Sequence, residues 1–131
     1  MELVVADSSF YIRALRSRRQ PFLEMERLAE RVEWATTGMI MLEVCRGLRD
    51  PKVRDDFEMR YSTMVYLPTT NSVWEQAVRL AWTLDRKGYP IPAQDIVIAA
   101  ACQSQGAHLL THDQHFSQIP GLEVAHSLAD L

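Results

Sequence analysis

The stretch Ile91–Ala101 reads IPAQDIVIAAA, and the rest of the chain is best arranged around it. Pro92 suits the opening of a helix, where its missing N–H is not needed. Asp95 then falls in the first turn, followed by Ile96, Val97, Ile98 and three alanines. A helix apolar almost all round is a buried one, and Ala99, Ala100 and Ala101 let it lie close against a sheet. One carboxylate at the head of such a helix is ordinary. Asp7, Glu43 and Asp113 decide whether Asp95 stands alone.

A chain of 131 residues fits one domain, spanning 1–131, with room for a real core. Its 47% hydrophobic and 24% charged content is that of a soluble globule rather than a disordered or membrane-spanning chain. No apolar run approaches the roughly 20 residues of a membrane helix. The N-terminal MELVVADSSF carries acids and no basic n-region, so it does not read as a signal peptide. Cys45 and Cys102 sit in apolar helical patterns without CxxC spacing, the pattern of buried free thiols in a reducing compartment. A cytoplasmic protein is the expectation. The formal net charge of −3 excludes a protein that grips nucleic acid by bulk positive charge. Bound cations can still bridge a mildly acidic chain to a polyanion.

Taken in order, Glu2–Ala6 is a short apolar run fit for a buried first strand. Asp7-Ser8-Ser9 ends it, and helices are expected over Phe10–Arg19 and from Pro21 to about Arg31. Val32–Thr36 is a second strand. Thr36-Thr37-Gly38 leads into a helix to about Leu48, and Asp50-Pro51, an N-cap followed by proline, opens another to about Tyr61. Met64–Leu67 is a third strand. Ser72-Val73-Trp74-Glu75 has the form of a capping box, and its helix stops at Gly88. The Pro92 helix runs to Gly106, His108–Thr111 is a fourth strand, Gln114–Ser117 a short helix and Leu122–Ala125 a fifth strand. Short strands alternating with helices predict an α/β fold, three layers with a five-stranded, mainly parallel sheet between helices.

In such a sheet, sites lie at the carboxyl ends of the strands. Asp7 follows the first strand directly and Asp113 the fourth by two residues at most. Glu43 lies little more than a turn into the helix after the second strand. The helix carrying Asp95 feeds straight into the fourth strand, so it runs antiparallel to it and its N-terminus returns to the same edge. All four acids therefore converge if the sheet is parallel. Crowded carboxylates raise one another's pKa values and call for cations, and hard oxygen donors select Mg²⁺ or Mn²⁺ over zinc. Such ions suit in-line displacement at a phosphodiester. Hydrolysis of a nucleic acid backbone is the reaction that fits.

Each acid also has an ordinary reading. Asp7 fits a helix cap, Asp95 a dipole partner, Asp113 a turn residue, and Glu43 a surface partner of Arg46, worth little. Singly, the ordinary reading prevails for all but Glu43, whose apolar flanks imply partial burial; jointly, the functional one does. His112 and His115 flank Asp113 but lack the further N/S ligands zinc wants, so a surface turn is the leading reading for them and a role supporting the acids or facing substrate the second, with His108 and His126 structural. Arg13, Arg16, Arg18 and Arg19 read as a solvated helix face first and as RNA-phosphate contacts second. Trp34, Trp74 and Trp82 read as core or dimer-interface residues.

VVADSSFYI, MIMLEVCRGL, IPAQDIVIAAA and LLTHDQHF, in that order, resemble PIN-domain ribonucleases, and among them the stand-alone toxins of VapBC-type toxin–antitoxin pairs. The resemblance spans essentially the whole chain. It implies that Asp7, Glu43, Asp95 and Asp113 are the metal-binding, catalytic acids, with Ser9 and Thr111 supporting them. It further implies Mg²⁺ or Mn²⁺ as cofactor, RNA as substrate, a homodimer, and silencing by a cognate antitoxin. Many members carry one more acid soon after the fourth; here that position is most nearly His115, and a neutral imidazole is a poorer Mg²⁺ ligand than a carboxylate. The alternative is a catalytically weak PIN-like module whose acidic pocket mainly binds a partner peptide. A haloacid-type phosphatase or a phospho-receiver ranks last, because Asp7-Ser8-Ser9 lacks a second acid and neither Lys52 nor Lys87 is placed for a receiver.

Overall fold

The computed structural model describes residues 1–131. Its strands are β1 (Glu2–Ala6), β2 (Val32–Thr36), β3 (Val65–Tyr66), β4 (His108–Leu110) and β5 (Val124–Ala125). The helices are α1 (Ser8–Arg16), α2 (Pro21–Glu26), α3 (Gly38–Cys45), α4 (Pro51–Ser62), α5 (Asn71–Arg86) and α6 (Ala93–Gln105), with 3₁₀ turns at Gln114–Gln118 and Leu128–Asp130. The five strands form one sheet in the order β3-β2-β1-β4-β5, and every pairing is parallel. The expected fold class is the observed one. β1 is the central strand: Val5 pairs with Ala35 on one side and Leu109 on the other, and Val4, Val5 and Ala6 are wholly buried.

The strand order sets the position of the site. The chain leaves β1 toward β2 and β3, then returns to lay β4 against the other side of β1. The switch therefore falls between β1 and β4, where open α/β sheets leave a crevice at their carboxyl edge. α6 delivers the chain to β4. Its residues Ile96 to Cys102 are all buried, as an all-round apolar helix requires. Gly106 stops it in the left-handed conformation at φ 66°, which costs a glycine nothing.

Several boundaries differ from the sequence reading. Pro92 is the residue before α6 rather than its first. α1 begins at Ser8 and ends at Arg16, and α2 ends at Glu26. α3 ends at Cys45. The Ser72–Glu75 capping box is not used: Thr70 caps α5, its side chain accepting from the Val73 N–H at 3.3 Å. Of the tryptophans read as core or dimer-interface residues, Trp74 and Trp82 are not core, being 49% and 59% exposed. Trp34 is half-buried and donates its indole N–H to the Met25 carbonyl at 3.0 Å. Cys102 is buried and Cys45 half-buried, both free. No helix is long and apolar enough to cross a membrane.

Candidate functional site

Asp7 is the first residue after β1 and is 1% exposed. It stands at the N-cap position of α1, yet its carboxylate caps nothing. Its Oδ2 instead accepts from the Ser9 hydroxyl at 2.9 Å and the Thr111 hydroxyl at 3.0 Å. Each hydroxyl has one proton, so both are spent on Asp7, and the 3.3 Å approach of Ser9 Oγ to Thr111 Oγ1 is a contact between two acceptors. Those oxygens in turn accept the backbone N–H groups of His112 (3.1 Å) and Asp113 (3.0 Å). The β1 and β4 strand ends are thus laced together across the switch. Asp7 Oδ2 is saturated, while Oδ1 is buried and has no hydrogen-bond partner.

The other three acids meet Asp7 here. Glu43, on α3, is half-buried with Oε1 shielded and unpartnered, and it makes no ion pair with Arg46. Burial pushes its carboxyl above the usual range, the charges of Asp7 and Asp95 push the same way, the Ser8 hydroxyl opposes them, and Asp113 adds least. Asp95 occupies the first turn of α6. Burial and then the charge of Asp7 raise its carboxyl too, with Asp113 adding to them and His115 opposing. Such mutual effects put the four acids in one neighbourhood. One ligand atom from each of Asp95, Asp113 and His115 lies within 4.8 Å of the other two. Asp113 itself follows β4 by three residues, one more than the sequence reading allowed, because β4 ends at Leu110.

For His115 the second of the two readings is the observed one. It lies on a turn, as expected, but its ring faces inward, with Nε2 3.0 Å from Asp95 Oδ2 and the side chain 33% exposed. His126 is structural as read: Nδ1 meets the Thr111 carbonyl at 3.0 Å and its backbone N–H donates to Asp130 at 3.1 Å. His112 lines two adjoining hollows beside the acids and shares them with Arg13; Arg16 belongs to one hollow and Arg19 to the other. Cys102 lies near enough to Asp7 that burial and that charge push its thiol up to about 12, so it stays protonated and inert.

Chemically, bare buried carboxylate oxygens among further acids fit a hard divalent cation, which supplies the missing partner for Asp7 Oδ1 and Glu43 Oε1 and offsets the crowded charge. A family model for the PIN domain matches residues 4–122. No curated protein matches the chain significantly by sequence. Among solved structures, VapBC2 from Rickettsia felis, bound to a promoter DNA fragment, superposes with TM-score 0.79 at 18% identity, covering 94% of this chain and 97% of that one. DNA-bound VapBC from Salmonella typhimurium gives 0.79 at 20%, covering 95% and 98%. Mycobacterium tuberculosis VapC20, described as a sarcin-ricin loop cleaving toxin, gives 0.66 at 19%, covering 92% and 98%.

Proposed function

The chain belongs to the PIN domain family, and from that premise we propose that it is a divalent-metal-dependent endoribonuclease, the toxin of a type II toxin–antitoxin pair. The observation that carries this reading is Asp7: one carboxylate oxygen held by two hydroxyls, the other buried and unpartnered, with three more acids around it. Four carboxylates repel a phosphodiester unless cations lie between them, so the pocket suits a polyanion only when loaded. Asp7, Glu43, Asp95 and Asp113 hold the ion; Ser9 and Thr111 fix the rotamer of Asp7. A bound Mg²⁺ or Mn²⁺ would supply Lewis acidity, making water a better nucleophile and offsetting charge on the leaving oxygen. Beside the acids, Arg13 and Arg16 line a hollow with Ser8, Ser9, His112 and Asp113, which suits the flanking phosphates of a single strand.

The antitoxin partner rests on the resemblance to toxin–antitoxin complexes. The test is cleavage mapping on total RNA with purified, antitoxin-free protein and Mg²⁺ or Mn²⁺. Asp7→Asn should lose cleavage to the detection limit while its circular dichroism and melting stay native, and excess chelator should do the same to the parent protein. Undiminished cleavage by either would sink the proposal. A chain that binds the antitoxin tightly yet never cuts RNA would favour the peptide-binding module instead.

A further inference from the structure

We propose that His115 is a metal ligand, so that the pocket between Asp95 and Asp113 is a mixed nitrogen–oxygen site favouring a first-row transition ion over Mg²⁺. The inference rests on the reading of this pocket as a divalent-ion site and adds what the ion's chemistry must be. Donor atoms on one small divalent ion sit about 2.0–2.2 Å from it, so any two of them are separated by roughly 3–4 Å. One atom each from Asp95, Asp113 and His115 already lies within 4.8 Å of the other two, which leaves only a small closing movement. The ring packs against Phe116 at 4.7 Å between centroids, and Phe116 is fully buried. Nε2 points at Asp95 Oδ2 from 3.0 Å.

A cluster of this kind alone would be only a turn histidine near two acids. The independent observation is Asp7 Oδ1, on a residue 1% exposed, shielded from solvent and without a partner. It is a carboxylate oxygen that protein donors leave unused. Mg²⁺ demands oxygen donors and keeps its waters; an imidazole suits the later transition ions best, and Mn²⁺, the one most given to oxygen donors, is the most stringent probe among them. An additional carboxylate at position 115 would serve Mg²⁺ better; the histidine there turns the preference the other way.

Mn²⁺ alone serves as the probe. Chelator-treated protein is titrated with Mn²⁺ by electron paramagnetic resonance and with Mg²⁺ by calorimetry, in the parent, His115→Gln, His115→Asp and His112→Gln forms. Pulsed resonance on the Mn²⁺-loaded parent reads directly whether a nitrogen is bound. The expected result is nitrogen coupling in the parent and in His112→Gln, lost in both His115 variants. The Mn²⁺-over-Mg²⁺ affinity ratio should fall about tenfold or more in His115→Asp, the scale on which coordinating groups tune metal sites. Bound Mn²⁺ without nitrogen coupling in the parent, coupling that vanishes instead in His112→Gln, or no Mn²⁺ binding at all would overturn the proposal. Nitrogen-coupled Mn²⁺ on a protein that leaves RNA intact would uphold the His115 assignment and sink the nuclease reading, so the two fail separately.

Discussion

Asp7 Oδ1 and Glu43 Oε1 are both shielded and unpaired, and unsatisfied polar atoms of this kind cost about 1–3 kcal/mol each. The chain bears that cost where a cation would relieve it. Its pH dependence follows from proton linkage. The Glu43 carboxyl titrates above the usual range in the fold, so between its unfolded and folded values the native state binds more protons. Stability falls as pH rises through that window, and the loss persists at neutral pH. Glu43→Gln should therefore stabilise the metal-free protein at pH 7. Solvent screening at a half-buried group keeps the gain to about 1 kcal/mol, or a melting rise of about 3–5 °C for this length. The gain should fade below the usual carboxylate range, where Glu43 is protonated in both states. Calorimetry in chelator across pH checks it, and a variant that melts no higher at pH 7 contradicts it. The acids were legible in the sequence because Asp7 and Asp113 follow strands, Asp95 opens a helix and Glu43 lies little more than a turn inside one, positions that topology sends to one edge. His115 was marked only by the resemblance, as the position nearest a further acid; its contact with Asp95 was not legible, because a turn histidine shows no pattern until the fold sets its turn against the head of α6.

The same contrast holds for whole elements. β1 and β2 match the sequence reading residue for residue, since short apolar runs between turn residues leave little freedom. The end of α1 does not: Arg18 takes the left-handed conformation at φ 55°, which no pattern of side chains announces for an arginine. Thr70 displaces Ser72 as the cap of α5 although serine is the somewhat better cap, so residue type does not decide the start of this helix. α1 also carries the charge that the overall balance conceals. Ser9, Arg13 and Arg16 recur at helical spacing on one face; both arginines are exposed and neither makes an ion pair. They are free to meet phosphates leading away from the acids. Each phosphate contact on a single strand contributes about −0.7 to the slope of log affinity against log salt. In an Asp7→Asn background, Arg13→Ala with Arg16→Ala should weaken RNA binding and flatten that slope by about 1.4, leaving metal affinity unchanged. An unaltered slope in fluorescence anisotropy would return α1 to an ordinary solvated face.

For the whole molecule, alternation of strands and helices was enough to foresee a parallel sheet, and with it the convergence of the acids. The strand order was not foreseeable, because β4 can be laid on either side of β1 without changing any local pattern; the order observed puts Thr111 beside Asp7. The exposed tryptophans raise the remaining question of assembly. Trp74, Val78 and Trp82 are spaced four residues apart on α5 and are 49%, 68% and 59% exposed, with the Arg86 guanidinium lying over the Trp82 ring at 4.3 Å. Aromatic and arginine side chains in one contiguous stripe are the composition of an interface centre, and a monomer gains nothing by keeping two tryptophans in water. The prediction is that a second copy covers the stripe. A twofold arrangement would set α5 against its own mate, so one substitution strikes the interface twice. Val78→Glu with Trp82→Glu would then place like charges in apolar surroundings across the axis. Light scattering at tens of micromolar should show a dimer for the parent chain and a monomer for the double variant, with α5 still helical because both positions already face water. A parent that is monomeric under those conditions, or a variant that remains dimeric, would mean that the stripe serves some other contact.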